Sequence, residues 1–215
     1  MKRIIIAILT LIPFTGIAQN SWEKPTETTQ APAKKKALFE KSNKNTDPKY
    51  LAGAVPVKDG KVVFELDEDV KGKSAQEIYD IVYNELQALT KEENQFKESQ
   101  IAIVNKQDHV IAARLKEWLV FQNTFLSLDR TVFNYTIIAT CADGHLNLKF
   151  TRISYQYELD REGSGLETTA EEWITDKYGL TKKQDKLSKY SGKFRRKTID
   201  RKDYIFDKIK AALNV

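Results

Sequence analysis

Only three of the 215 residues are Cys or His, and two of them sit together. Cys141, the single cysteine, and His145, one of two histidines, share the stretch TCADGHLN from Thr140 to Asn147. A thiol beside an imidazole is the pairing of a nucleophile and its base. Register decides whether they can meet. If Asp143 and Gly144 are the central residues of a type I′ hairpin turn, Ala142 faces His145 and Cys141 pairs with Leu146. Ala139 then pairs with Leu148 and Ile137 with Phe150, all apolar. Thr140 pairs with Asn147, Ile138 with Lys149 and Thr136 with Thr151 on the opposite, largely polar face. A three-residue loop, Ala142 to Gly144 with a glycine bulge, sets Cys141 against His145 but also Ile137 against Lys149, mixing the faces. The first register is preferred because it sorts them. Side chains alternate across a strand, so Cys141 is predicted to face the core and His145 the other side.

The remaining chemistry-bearing patterns are incomplete. The Cys141–His145 pair would give zinc two ligands where it takes three or four, and two histidines in all exclude a His-rich site. His109, in the turn KQDH, reads as a solvated polar residue. DEDVKGKSAQEI places Asp67, Asp69 and Gly72 at positions 1, 3 and 6 of a calcium loop, but position 5 is Lys71 and position 12 is Ile78 where a bidentate Glu is needed. There is no glycine-rich phosphate loop, G-x-S-x-G or H-E-x-x-H. No cofactor and no metal are predicted, and the enzyme reading is left without a motif.

The elements that position these residues follow from periodicity. Lys61–Leu66 reads as a strand. Ser74 and Glu77 form an S-x-x-E capping box ahead of Ile78, Ile81, Val82, Leu86 and Leu89, an apolar stripe at helical spacing. Gln100–Asn105, Val110–Gln122, Thr131–Cys141 and His145–Glu158 are β-branched and aromatic, with turn sequences between neighbours. The predicted fold class is α+β: a curved antiparallel sheet of about five strands with a helix packed on one face, followed by C-terminal helices. In that C-terminal part, Thr169 and Glu172 offer a second capping box with Gly179 as a stop. Thr181 and Gln184 start a short helix ending near Gly192, and Asp200 caps a last helix carrying Ile205, Phe206, Ile209 and Leu213.

The N-terminus reads as an address. Lys2 and Arg3 precede the apolar run Ile4–Phe14, and Gly16-Ile17-Ala18 supplies small residues for cleavage after Ala18. The run falls short of the roughly 20 apolar residues of a spanning helix. An uncleaved anchor is the rival reading. Four segments are expected: a signal peptide over 1–18, a disordered linker over 19–56 rich in Pro, Thr and Lys, an α+β domain over 57–158, and a hinge with a basic helical extension over 159–215. After cleavage no transmembrane span is expected, and the destination is periplasmic or extracellular. An internal disulfide is impossible with one cysteine.

Net charge is +5, but Lys182 to Lys202 carries ten Lys/Arg against two Asp, so the rest of the chain is net acidic. Lys182, Lys183, Lys186, Lys189, Lys193, Arg195, Arg196 and Lys197 are therefore candidate polyanion-binding residues. Export removes genomic nucleic acid as an expected partner.

GKVVFELDEDVKGKSAQEIYDIVYNEL, with its Gly60–Phe64 strand and Gly72–Ser74 helix start, and the Asp143-Gly144 turn before an aromatic strand resemble a secreted domain-of-unknown-function family. That family, found mainly in Bacteroidetes-type bacteria, has a fold like the TATA-box-binding protein. The resemblance covers about Val57 to Glu158 and implies a curved antiparallel sheet with helix on one face. It carries no catalytic residues and does not imply DNA binding.

Function is expected to be non-catalytic binding of an unknown protein or envelope component. The candidate ligand face holds His145, Lys149, Thr151, Tyr155 and Tyr157, provided that the C-terminal helices do not cover it. The alternatives are a carboxylate- or Lys-based hydrolase, or a polyanion-binding protein acting through residues 182–202.

Overall fold

The computed structural model describes residues 45–160, 163 and 165–215. The predicted leader and the first part of the predicted linker lie outside the described residues. Seven strands form one antiparallel sheet: β1 (Val57–Lys58), β2 (Lys61–Asp69), β3 (Gln100–Asn105), β4 (Val110–Thr124), β5 (Ser127–Ala142), β6 (His145–Tyr157) and β7 (Leu166–Thr169). Their order is β1-β2-β6-β5-β4-β3, with β7 also pairing β6. The α+β class holds, with two more strands than predicted.

Helix α1 (Ala75–Leu89) begins where the sequence placed it. Ser74 accepts from the Glu77 backbone N–H while the Glu77 carboxylate accepts from the Ser74 N–H, so two otherwise unpaired donors are satisfied. Its buried stripe, Ile78, Tyr79, Val82, Leu86 and Leu89, lies on the sheet. The face it meets is built from alternate residues: Phe64 and Leu66 of β2, Ile111, Ala113 and Leu115 of β4, Ile137, Ala139 and Cys141 of β5, and Leu146, Leu148 and Phe150 of β6. Aromatic stacking fills its centre, with Tyr135 and Phe150 at 4.4 Å between ring centroids and Phe133 and Tyr155 at 5.5 Å.

The C-terminal part departs from its predicted layout. Thr169 ends β7, paired with Ser154, and its hydroxyl makes no capping bond. Only single-turn helices follow, α2 (Ala170–Trp173) and α3 (Asp176–Gly179). Residues 181–190 are turns rather than a helix, closed by a bridge between Leu180 and Leu187. Gly192 starts a helix instead of ending one, and the position is glycine because an added Cβ would lie 2.8 Å from Leu187 Cβ. Helix α4 then runs unbroken from Gly192 to Leu213, and Asp200 lies inside it. The carboxylate of Asp200 accepts from Lys49 Nζ and Tyr50 Oη, at 3.0 and 2.7 Å.

Those partners revise the predicted linker as well. Pro48–Tyr50 forms a 3-10 turn, Tyr50 and Val55 are buried, and Arg195 of α4 donates to the Tyr50 and Leu51 carbonyls at 2.7 and 2.6 Å. Residues 45–56 and the C-terminal extension share one apolar core with the sheet.

Helix α4 lies beside α1 on the same face of the sheet. Phe194 packs on Tyr155, and Arg201 reaches Glu117 of β4 with two hydrogen bonds of 2.7 and 2.6 Å. Both long helices therefore cover one face. On the other, Asp67, Arg114, Thr140 and Lys149 remain exposed and His145, Asn147 and Thr151 half-exposed.

Candidate functional site

The hairpin that suggested chemistry has the pairing that the sequence favours. Ala142 faces His145, Cys141 faces Leu146, Thr140 faces Asn147 and Ile138 faces Lys149. The turn itself is not type I′, which needs positive φ at both central residues. Only Gly144 of the pair has it, at +69°. Asp143 is instead held by a longer-range contact: its carboxylate accepts from the Ala75 N–H at 2.8 Å, at the start of α1. Gly144 donates to the Lys73 carbonyl and accepts from the Val70 N–H, clamping the hairpin to the β2–α1 loop. Sequence reading missed this role; the acidic residue after Ala142 was the available signal.

Cys141 is 4% exposed, and burial pushes its thiol up to about 12. His145 points to the opposite face, so the two do not form a nucleophile pair. His109 is half-buried with its ring edge-on to Tyr79 at 5.9 Å, and its carbonyl accepts from the Cys141 N–H, rather than being simply solvated.

The open face is organised by strand pairing. β2 presents Asp69, Asp67, Glu65 and Val63 directly opposite His145, Asn147, Lys149 and Thr151 of β6. Asp67 Oδ1 lies 2.9 Å from His145 Nε2 and accepts from Asn147 Nδ2 at 3.0 Å. His145 Nδ1 is 3.3 Å from Asp69. The hydrogen bonds to Asp69 and then Asp67 raise the imidazole above the usual histidine range, while those from Asn147 and then His145 hold Asp67 below the usual carboxylate range. Glu65 is held low by its hydrogen bond to Lys58, with Lys149 at 3.6 Å on the other side. These groups are solvent-exposed, so they contribute little to stability and chiefly set the pattern of charge on the surface.

Tyr155 and Tyr157 do not belong to this face. The β5–β6 register shifts between Asn134 and Thr136, and Arg152 sits at φ +54° opposite the shift. An extra residue in one strand reverses the facing of everything beyond it. Tyr155 is consequently buried against Phe133, 2.7 Å from Thr198 of α4. The Tyr157 hydroxyl donates to Asp129 and accepts from Lys193.

β2 and β7 both pair β6, end to end, and the bulge opens a groove of about 670 Å³ at their junction. It is lined by Lys58, Lys61, Lys149 and Arg152 together with Asp59, Glu65 and Glu171, so a bound group would meet both signs of charge. Among the described residues no cluster of three His, Cys, Asp or Glu can hold a metal ion.

The predicted basic set also divides. Arg195 is fully buried, spent on the Tyr50, Leu51 and Ile174 carbonyls and on Asp176 at 2.7 Å. It is a structural cation, unavailable to any ligand. Lys193 is engaged by Asp129. Lys182, Lys183, Lys186 and Lys189 are exposed, and Arg196 and Lys197 are half-exposed on α4.

Comparisons with known proteins agree with this architecture. Residues 64–156 match the model of a family described as "Domain of unknown function (DUF4468) with TBP-like fold". A DUF4468 family protein from Bacteroides ovatus ATCC 8483 has a crystal structure with TM-score 0.71 to this one; at 40% identity the match covers 79% of this chain and 95% of that one. A TBP-like protein from Parabacteroides distasonis ATCC 8503 aligns with TM-score 0.59 at 22% identity, over 74% of this chain and 97% of that one, a likeness of fold. No curated protein matches the chain.

Proposed function

The chain belongs to the DUF4468 family, and from that premise we propose that it is an exported, non-catalytic binding module of the cell envelope. Its open sheet face holds a protein or other envelope component. The observation that carries the reading is the placement of both long helices on one face, which among the described residues leaves a charge-patterned sheet surface without a covering helix. A protein that buried both faces would have its sheet as core; this one keeps Arg114, Thr140, Asn147 and Lys149 in solvent or at its boundary. The groove beside Lys149 gives the face relief that a flat sheet lacks.

Electrostatics favour binding over the hydrolase alternative. A general acid needs a carboxyl raised toward neutrality within reach of substrate. On the open face Glu65 and Asp67 are lowered instead. The carboxyl that burial raises is Glu117, enclosed beneath α4 beside Arg201.

The test is retention of envelope components by the immobilised chain, compared with a variant changed only on the open face, Thr140→Arg/Lys149→Glu. A discrete component held by the first and lost by the second is the expected result. An identical profile for both rejects the sheet face as the binding surface.

A further inference from the structure

The β4–β5 hairpin ends in residues that turn chemistry does not explain. Thr124 and Ser127 are the last pair, so Phe125 and Leu126 form the tip. Turns favour Gly, Asn, Asp and Ser, which supply positive φ or local hydrogen bonds. Here two large apolar side chains stand 102% and 89% exposed, followed by Leu128 at 55%. Isolated apolar residues on a surface are ordinary, but two at the apex of a projecting ribbon are placed to enter something.

The charges behind the tip indicate what. Asp129, the carboxylate nearest the tip along the chain, is neutralised by Lys193 at 2.8 Å. Lys193 in turn lines a groove of about 420 Å³ with Lys186, Lys189 and Arg196, and no carboxylate is among its lining residues. The cationic groove is thus tied to the hairpin two residues, roughly 7 Å, behind its last pair. An apolar apex backed by cations is complementary to a bilayer surface, apolar inside and anionic at its headgroups.

We propose that the chain docks on anionic membrane surfaces by inserting Phe125 and Leu126, with Lys186, Lys189 and Arg196 meeting lipid phosphates. This surface is separate from the open sheet face and does not depend on what that face binds. The docked module would hold its sheet at the membrane.

Co-sedimentation with vesicles tests it, using the chain from Gln19 onward so that the apolar leader contributes nothing. Among the described residues the apolar core begins at Tyr50, and the chain from Gln19 onward keeps all of it. Binding is expected to vesicles of phosphatidylglycerol and phosphatidylethanolamine, and to be weakened about tenfold or more by Phe125→Ser/Leu126→Ser. Lys186→Gln/Lys189→Gln is expected to weaken it and to reduce its sensitivity to salt. A Phe125→Trp variant is expected to shift its emission to the blue on vesicle addition. All these positions are exposed, so unchanged thermal unfolding will confirm intact folding. Failure to bind anionic vesicles, or binding indifferent to the tip substitutions, overturns the proposal.

Discussion

Tyr155 Oη lies 2.7 Å from Thr198 Oγ1, a buried hydrogen bond that fastens β6 to α4. The contact exists because the bulge at Arg152 turns Tyr155 toward the helices. It fixes α4 on the same side as α1, and so among the described residues leaves the opposite face of the sheet open. The C-terminal extension therefore completes the core instead of capping the candidate site.

The second tie between α4 and the sheet is ionic. Arg201 donates to both Glu117 oxygens and to Glu92 at 2.9 Å, with Arg201 and Glu117 almost wholly buried. Removing Arg201 leaves the buried Glu117 carboxylate with only neutral partners, the Gln95 side-chain amide among them, and losing one side of a buried ion pair costs about 3–5 kcal/mol. Arg201→Met is expected to lose about that much in denaturant unfolding. Arg201→Met/Glu117→Met is expected to recover most of it. A loss below about 1 kcal/mol for the single variant would show that neutral partners such as Gln95 suffice for Glu117.

Cys141 is expected to be inert in the folded protein. Its thiol is buried and raised to about 12, so almost no thiolate exists at neutral pH. Thiol reagents followed by mass spectrometry should label it only at the rate of unfolding, and promptly in denaturant. Prompt labelling under native conditions would contradict its position under α1.

The His145 network gives a pH signature. The folded imidazole titrates above the unfolded one, so its contribution is fully present below the unfolded midpoint and disappears as pH rises through the folded one. Asp67 has the opposite sign: its contribution is present above its unfolded midpoint and is lost as pH falls through the lowered folded one. The network is therefore complete between the carboxylate and histidine ranges. NMR titration should place the His145 midpoint above the ordinary 6.5, and Asp69→Asn should lower it. An unchanged midpoint in that variant would remove Asp69 as the leading cause.

Period-2 patterning made the hairpin legible: both strands alternate cleanly, so one register satisfied both faces and the pairing follows it residue by residue. The capping box of α1 was legible because it is local. What stayed hidden was non-local or unmarked. The bulge at Arg152 carries no Gly or Pro, so the phase change that moves Tyr155 and Tyr157 leaves no trace in composition. Asp200 looked like a cap, yet its partners Lys49 and Tyr50 lie some 150 positions away in the chain. Gly192 looked like a stop because glycine often is one, whereas here it allows close approach to Leu187. Arg195 looked like one more surface cation, and only the fold brings three carbonyls and a carboxylate to it.

The central claim, that the open sheet face engages an envelope component, is tested most directly by site-specific photocrosslinking in cells that produce the protein. A photoreactive residue at Thr140 sits exposed on that face beside Asn147, and one at Ala211 sits on the exposed side of α4 as its control. The expected result is a discrete adduct from position 140 that position 211 does not give, and that Lys149→Glu abolishes. Equal adducts from both positions, or none from position 140, would contradict it.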